Sequence, residues 1–364
     1  MNTTFNELGK KFGIAGTVCS YEALNGGLIN YTWKVTFVQD DLREKDYIFQ
    51  GINTFVFKHP KEMMCNIGRV TEYLCETYPD QASLRFYKTE DGVNYWIGED
   101  DMFWRAADYV DSVTFDVTED LAVVEAAGKA FGQFQARLAD FDGASLYETI
   151  PDFHNTKKRI DTLFAHAQED PCGMAGEAGT ELEYIASVRE KASELSVRME
   201  AGEIPVRVTH NDTKCSNVLF HKETWDPIMV IDLDTIMPGM SVYDFGDAVR
   251  SLASTAAEDE YDLKKVAFDV EKFRAFTRGF LGAAGGVLEP VEIDNLVLAA
   301  FSVTVELAAR FLDDFIMGDH YFHISYKGQN FLRARCQLQL AKEIEAKWDL
   351  LTEIVCEAAA GAGR

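Results

Sequence analysis

Runs of β-branched and aromatic residues, separated by short polar segments, characterise the first third of the chain. These runs predict β-strands at residues 17–23, 29–37, 47–52, 83–88, 93–97 and 102–110. Asp91-Gly92 is typical of a hairpin turn between the fourth and fifth of these strands. A helix is predicted between Pro60 and Pro79. The pattern therefore predicts a small antiparallel sheet with one helix inserted after its third strand.

In the remainder of the chain, apolar positions recur at steps of three and four, which is typical of helices with one buried face. They predict one such helix between Asp120 and Leu138, and Thr180 with Glu183 has the spacing of a capping box at the start of another. Short strands are predicted at 206–209, 218–220 and 228–231, with long helices from 244 to 357. We therefore expect a β-rich N-terminal lobe, a hinge near Tyr109-Val110 and a helical C-terminal lobe.

A dense group of polar residues follows the first of these short strands. It spells H-x-D-x-K-x-x-N and contains Asp212, Lys214 and Asn217, and Asp232 comes 20 residues after Asp212 behind an apolar strand. Phosphoryl-transfer enzymes of the protein-kinase type need an Asp to accept the proton of the attacking hydroxyl. They also need an Asn and a second Asp to hold the metal at the ATP phosphates. The spacing predicts Asp212 as the catalytic base, Lys214 as a cation that neutralises the transferred phosphate, and Asn217 and Asp232 as Mg²⁺ ligands.

Two further aspartates lie near this group. Asp234 shares one face of an extended segment with Asp232, so it is either a further metal ligand or a partner that supports the ligands. Asp244-Phe245-Gly246 spells the D-F-G of protein kinases, but it comes 32 residues after Asp212 and past a Pro-Gly turn. We therefore assign the metal to Asp232 and expect Asp244 to support the loop by bonding backbone amides.

The segment Asn25 to Asn30 is the candidate nucleotide loop. Gly26 and Gly27 allow the backbone to approach phosphate, with Asn30 beside them, although Asn-Gly-Gly is also a common hairpin turn. No G-x-x-x-x-G-K-[ST] occurs, which excludes a P-loop enzyme. ATP is expected between the lobes, with its adenine bonded to backbone groups from Asp108 to Val110.

One element of the kinase pattern is missing. The third strand is expected to carry a Lys for the α- and β-phosphates, and Gln50 occupies that place in Tyr47-Ile48-Phe49-Gln50. A Gln can donate a hydrogen bond but brings no charge. Arg105 and Lys34 are the candidates to compensate.

Composition narrows the range of partners. The chain has 364 residues and a formal net charge of -25, which argues against nonspecific binding to nucleic acid or to anionic membranes. The chain has seven cysteines, an odd number, and none has the C-x-x-C spacing of a zinc site. This argues against a disulfide framework, so we expect reduced thiols and a cytoplasmic location. The N-terminus lacks a signal-peptide pattern, and the longest apolar run, Leu296 to Val305, predicts a buried helix. Nothing indicates an obligate protein partner.

Several segments of the chain resemble the N-acetylhexosamine 1-kinases of the aminoglycoside phosphotransferase and choline kinase family. The resemblance covers nearly the whole chain and is carried by residues 104–105, 207–214, 231–239, 244–247, 310–312 and 318–322. It implies an α+β, bilobal protein-kinase-like fold, with a nucleotide-binding lobe at 1–109 and a helical lobe with the catalytic loop and sugar site at 110–364. It also implies an ATP- and Mg²⁺-dependent kinase that phosphorylates the anomeric hydroxyl of GlcNAc or GalNAc.

The same resemblance assigns roles to individual residues. It implies that Asp212 is the base, that Asp232 serves the metal, and that Arg310 and Tyr321 hold the sugar. From the residues alone, Arg310 either pairs with Glu306 four positions earlier or contacts substrate hydroxyls. The family tolerates Gln at the position of Gln50. Leu28 is a departure, since it replaces a His that is frequent in the family's nucleotide loop.

Two alternatives remain open. The first is a kinase of the same fold that acts on choline, homoserine or an aminoglycoside, whose cationic acceptors would suit an acidic pocket. The second is a catalytically dead nucleotide-binding module, which only Gln50 favours. The complete set of Asp212, Asn217 and Asp232 argues against the second.

Overall fold

The N-terminal third forms a five-stranded antiparallel sheet. The computed structural model describes residues 1–24, 29–99 and 101–363. The strands are β1 (Thr17–Leu24), β2 (Tyr31–Val38), β3 (Glu44–Ile52), β4 (Trp96–Ile97) and β5 (Phe103–Asp108), in the spatial order β1-β2-β3-β5-β4. Helix α2 (Pro60–Thr77) lies between β3 and β4 in the chain. The predicted sheet with one helix after its third strand is therefore confirmed.

A helix that the sequence analysis did not predict precedes this sheet. Helix α1 (Asn2–Lys11) places Phe5 against Trp33, Phe49 and Trp104 on one face of the sheet, with ring centroids 5.6 to 6.2 Å apart. Burial of such large aromatic side chains contributes strongly to stability. Helix α1 thus covers a sheet face that would otherwise be exposed.

The rest of the chain is mainly helical. Its helices are α3 (Leu121–Arg137), α4 (Thr156–Glu169), α5 (Gly179–Glu200), α6 (Ser241–Leu252), α7 (Val270–Ala284), α8 (Pro290–Ile293), α9 (Leu296–Ile316), α10 (Gln329–Ala346) and α11 (Trp348–Gly361). Two small antiparallel sheets pair β6 (Arg207–Thr209) with β9 (Met237–Gly239), and β7 (Val218–Phe220) with β8 (Pro227–Val230). Together with the N-terminal sheet, this confirms the predicted α+β fold with a helical C-terminal region.

Helices α3 and α7 approach each other closely because glycines face their contact. A Cβ atom at Gly128 would lie 2.3 Å from the carbonyl oxygen of Phe276, and one at Gly279 would lie 2.0 Å from that of Glu125. Helix α3 begins as predicted, since the Asp120 side chain accepts a hydrogen bond from Ala122 N. Helix α9 contains the predicted apolar run and is buried over most of its length. None of the described helices is long and apolar enough to cross a membrane.

Several local predictions were wrong. Residues 83–88 form no strand and contribute one isolated bridge, Phe86 with Ala107, while the strand predicted at 93–97 is reduced to β4. The turn at Gly92 is present, with a φ of 79°. Helix α5 begins at Gly179 without a side-chain cap, so the capping box at Thr180 and Glu183 does not form. Pro238-Gly239 lies in strand β9, because pairing with β6 overrides its turn preference.

All seven cysteines are unpaired.

Candidate active site

The loop between β6 and β7 is fixed by a buried carboxylate. The side chain of Asp244, near the start of α6, accepts hydrogen bonds from the backbone N–H groups of His210 (2.9 Å) and Asn211 (2.8 Å) and from the side chain of Gln135 (2.7 Å). Burial raises the pKa of Asp244, and these donors together with the nearby His210 oppose that rise. These bonds confirm the prediction that Asp244 supports the loop by bonding backbone amides.

His210 joins this loop to the loop that follows β8. Its Nδ1 accepts a hydrogen bond from Asp212 N (3.2 Å), and its Nε2 lies 2.8 Å from the carbonyl oxygen of Ile231. This pattern requires the tautomer with the proton on Nε2. Asn211 has a φ of 65°, a left-handed conformation that Asn tolerates better than most residues. The imidazole therefore holds Asp212 close to the segment that carries Asp232.

Asp212, Lys214 and Asn217 form one hydrogen-bonded group. Lys214 Nζ lies 2.9 and 3.0 Å from the two carboxylate oxygens of Asp212, whose side chain is 25% exposed. Asn217 Nδ2 donates to the backbone oxygen of Asp212 (2.8 Å). Burial lowers the pKa of Lys214, but the charge of Asp212 outweighs it and the pKa is raised. The carboxylate of Asp212 thus faces solvent beside a cation, where it can accept a proton from a bound hydroxyl.

Asp232 lies beside this group on the loop between β8 and β9. It has a φ of 61°, and within the described residues its carboxylate accepts no hydrogen bond. Loss of solvation, with the charges of Asp234 and Asp212, raises the pKa of Asp232 to about 6, although the residue is exposed. Asp212 and Asp232 are therefore close enough to interact, and the uncompensated negative charge there favours a cation.

Asp234 has a different environment from Asp232. It is buried, and its two carboxylate oxygens bind Arg105 on β5 and Asn30 before β2. Arg105 is 2% exposed and also donates to Gln50 Oε1 on β3 (2.9 Å). Both oxygens of Asp234 are therefore engaged by the N-terminal region, whereas Asp232 is free to bind a ligand.

The donor set suits a divalent cation shared with a phosphate ligand. Asp232 provides a carboxylate, and Asn217 provides an amide oxygen because its amide nitrogen is bonded to Asp212. In the part of the chain that the structure describes, no group of three or more His, Cys, Asp or Glu is arranged to hold a metal by itself. Mg²⁺ prefers such oxygen ligands and takes the remaining positions from water and phosphate. The residues therefore fit Mg²⁺.

The structure describes only some of the predicted nucleotide-binding residues, and those bind other residues of the protein. Gly26 and Gly27 lie outside the described residues. Gln50 is bonded to Thr32 (3.0 Å) as well as to Arg105. Asp108 ends β5 with its carboxylate on Lys45 (2.8 Å), and the carbonyl of Val110 accepts a hydrogen bond from Ser112 (2.9 Å).

Lys34 is held at the same end of the sheet as Asp108. Its Nζ lies 3.0 Å from Asp46 and 4.3 Å from the ring centre of Tyr109. Lys34 is thus fixed near the connection between the lobes rather than beside Gln50, where the missing lysine was expected.

Arg310 and Tyr321 come together on the C-terminal side. The guanidinium of Arg310 lies over the rings of Phe153 (5.3 Å) and Phe322 (5.5 Å), and Tyr321 packs against Phe322. Tyr321 is 69% exposed. Asp314 fixes this segment by accepting hydrogen bonds from three successive backbone N–H groups, those of residues 320–322.

Arg310 does not form a close ion pair with Glu306, its neighbour on α9. Its Nη1 is 3.9 Å from Glu306, whose carboxylate is instead bonded by His154 Nδ1 (3.2 Å) and Thr156 Oγ1 (3.0 Å). His154 Nε2 and Arg159 Nε are buried without a hydrogen-bond partner among the described residues. Buried polar groups normally have partners, so these two unpartnered nitrogens mark unsatisfied hydrogen-bonding capacity beside Arg310.

Asp247 connects this region with Asp212. Its carboxylate accepts a hydrogen bond from Thr213 N (3.0 Å) and pairs with Arg250 (2.8 Å). Burial opposes ionisation of Asp247, but Arg250, His154 and Lys214 lower its pKa. Asp247 therefore interacts both with the loop that carries Asp212 and with His154. No sequence pattern predicted His154, Arg159 or Asp247, because the groups around them are distant in the chain. Only the spacing of Asp247 from Asp244 on one helix offered a signal.

This geometry defines a kinase-like small-molecule phosphotransferase, and comparison with known proteins supports that class. The family model described as a phosphotransferase enzyme family matches residues 20–277. This match covers more than half of the chain, and the chain belongs to that family.

Solved structures resemble the chain over nearly its full length. A microcompartment-associated aminopropanol kinase is 14% identical, with a TM-score of 0.61 and coverage of 96% of this chain and 98% of the other. A spectinomycin phosphotransferase solved with ADP and spectinomycin is 13% identical, with a TM-score of 0.57 and coverage of 100% and 98%. A choline/ethanolamine kinase family protein from Mesorhizobium loti is 14% identical, with a TM-score of 0.55 and coverage of 99% of each chain. At these identities, the likeness concerns the fold.

Proposed function

We propose that the protein transfers the γ-phosphoryl group of ATP to the anomeric hydroxyl of an N-acetylhexosamine, with Mg²⁺ as the cofactor. Residues 1–109 would form the nucleotide lobe and residues 110–364 the catalytic and acceptor lobe. The observation that carries the proposal is the position of Asp212 between two groups. Asp232 lies close enough to interact with its charge, and Asp247 links its loop to the polar groups around His154 and Arg310.

The proposed reaction assigns each group one task. Asp212 orients the anomeric hydroxyl and accepts its proton as that oxygen forms a bond to the γ-phosphorus, while the bond from phosphorus to the β–γ bridging oxygen breaks and ADP leaves. Lys214, bonded to Asp212, compensates charge on the transferred group. Asn217 and Asp232 would hold Mg²⁺, which neutralises phosphate charge when bound.

The acceptor side supports a polyhydroxylated substrate. The guanidinium of Arg310 is 3.9 Å from Glu306, and Arg159 Nε has no partner among the described residues, so cationic N–H groups near this site are not fully paired within the protein. A sugar presents several oxygens that accept hydrogen bonds from such groups. The exposed ring of Tyr321 supplies an apolar face of the kind that packs against a sugar ring. The resemblance in residues 310–312 and 318–322 supports the same choice.

An amino alcohol is the second candidate acceptor. The similar aminopropanol kinase and choline/ethanolamine kinase family protein point to that chemistry, and the chain is strongly acidic, with a net charge of -25. A cationic acceptor would place its charge near Glu306 and Asp247. The cationic groups around Arg310 argue against it, because like charges in one pocket repel each other.

The test is a coupled ADP-release assay with GlcNAc, GalNAc, choline, ethanolamine, homoserine and kanamycin, followed by phosphorus NMR of the product. We expect turnover with an N-acetylhexosamine and a product phosphorylated at C1. Turnover with only a cationic acceptor, or phosphorylation at C6, would replace the sugar 1-kinase proposal. Arg310→Met should raise the KM for the sugar while leaving the KM for ATP near that of the wild type.

A further inference from the structure

Among the described residues of the N-terminal lobe, neither partner of the ion pair that protein kinases use to align ATP is present. Gln50 occupies the place of the strand lysine, and Arg105 lies directly across from it in the β3–β5 ladder. The two acidic residues of α2 that form ion pairs, Glu62 and Glu72, bind His59 and Lys88 at exposed positions. The residue of α2 that meets Arg105 is Met64, whose sulfur is 3.8 Å from Nη1.

A different ion pair connects the two lobes. Arg105 reaches out of the sheet to Asp234, and Asn30 binds the second oxygen of the same carboxylate. Asn30 is itself fixed because its Oδ1 accepts a hydrogen bond from Asn53 N (3.0 Å). Two residues of the N-terminal region, Arg105 and Asn30, therefore bind the carboxylate of Asp234. Asp234 follows the candidate metal ligand Asp232 by two positions in the chain.

Arg105 is held too firmly to act as a mobile phosphate ligand. It is 2% exposed, its Nε donates to Gln50, and Phe86 packs over the guanidinium at 5.0 Å. A third connection reinforces the arrangement, since Asn66 of α2 donates to the carbonyl oxygen of Ile236 at 3.0 Å. The loop from Asp232 to Ile236 is thus positioned by the N-terminal lobe.

We propose that Arg105, acting through Asp234, is a positioning residue that fixes Asp232 for Mg²⁺–nucleotide binding and replaces the lysine-based pair that this chain lacks. Partners of metal ligands orient those ligands, and losing such a partner lowers metal affinity by about 10- to 100-fold. Since Asp234 is bound by Arg105 and Asn30, its position, and with it that of the left-handed turn at Asp232, depends on the sheet. This inference rests on the proposed use of ATP and Mg²⁺.

The test compares ADP affinity, measured calorimetrically, with and without Mg²⁺. Arg105→Met alone leaves the buried Asp234 without its cation, which destabilises the fold, so the main variant is Arg105→Met/Asp234→Asn, in which both charges are removed. We expect the Mg²⁺-dependent gain in ADP affinity to fall about 10- to 100-fold in this variant, whereas ADP affinity without Mg²⁺ stays near that of the wild type. Arg105→Lys, which retains the charge, should recover part of the gain.

Arg207→Met is the matched control, because Arg207 forms a bidentate ion pair with buried Glu292 in the C-terminal lobe. It should lower thermal stability and leave the Mg²⁺-dependent gain intact. If the double variant keeps the wild-type gain, or if it loses ADP affinity equally with and without Mg²⁺, the positioning role is wrong. If the wild type itself shows no Mg²⁺-dependent gain, the proposed function fails instead.

Discussion

Asp232→Asn should make the protein more stable at neutral pH while removing its response to Mg²⁺. The folded state raises the pKa of Asp232 from 3.8 to about 6, so ionising this carboxylate costs more in the folded protein than in the unfolded chain. A rise of about two units corresponds to about 3 kcal/mol for a fully buried group. Because Asp232 is exposed, solvent screening reduces the expected gain to about 1 kcal/mol at most.

The sign of the pH dependence follows from the raised pKa. Below the unfolded value near 3.8 both states carry the proton, and the wild type and Asp232→Asn should have similar free energies of unfolding. As the pH rises to about 6, the unfolded chain ionises first, so the wild type loses stability relative to the variant. Above pH 6 the difference should stay constant. Asn also suits the left-handed backbone at this position, where φ is 61°.

Urea unfolding from pH 4 to pH 8 measures this difference directly. Asp234→Asn is the matched control and should destabilise the protein, because Asp234 binds Arg105 and Asn30. Mg²⁺ with ADP should stabilise the wild type by about 2.7 kcal/mol at a ligand concentration 100 times Kd and should stabilise Asp232→Asn much less. A variant that is no more stable than the wild type at pH 7.5, or a difference that does not change with pH, would refute the reasoning.

Two further substitutions test the loop between β6 and β7, and two glycine variants test the packing of α3 against α7. Asp212→Asn should lower kcat about 10²- to 10⁴-fold and leave ADP affinity near the wild-type value, and a wild-type kcat would remove Asp212 as the base. Asp244→Ala should lower the free energy of unfolding by about 3 kcal/mol, measured by urea titration, because the buried N–H groups of His210 and Asn211 lose their acceptor. Gly279→Ala should cost about 1–3 kcal/mol, since its Cβ would lie 2.0 Å from Glu125 O, whereas Gly282→Ala on the same helix meets nothing within 4 Å. Equal melting temperatures for these two glycine variants would contradict the proposed packing of α3 against α7.

Local spacing indicated which residues of the loop between β6 and β7 come together, because those residues are close in the chain. Asp212 and Asn217 are five residues apart, and the strands on either side fix their relation to Asp232. The spacing also led to the expectation that Asp244 bonds backbone amides of the loop, which its hydrogen bonds to His210 N and Asn211 N confirm. Helix α1 was missed even though Phe5, Leu8 and Phe12 have helical spacing and are buried.

Contacts between distant segments could not be predicted from spacing. Arg105 and Asp234 are 129 residues apart, and His154 and Glu306 are 152 apart, so no periodic pattern relates them. The same limit applies to Asp234, which the spacing left as either a ligand or a supporting residue. Only the folded sheet shows that Arg105 and Asn30 lie against its carboxylate, which favours the supporting role.

The most direct test of the central claim follows the oxygen atom of the acceptor. The protein is incubated with ATP, Mg²⁺ and N-acetylglucosamine carrying ¹⁸O at C1, and the product is analysed by phosphorus NMR. If the anomeric oxygen attacks the γ-phosphorus, the sugar 1-phosphate retains the label in its bridging C–O–P oxygen and its phosphorus signal shows the isotope shift. A product without the label, or a phosphate on another hydroxyl, would contradict the proposed reaction.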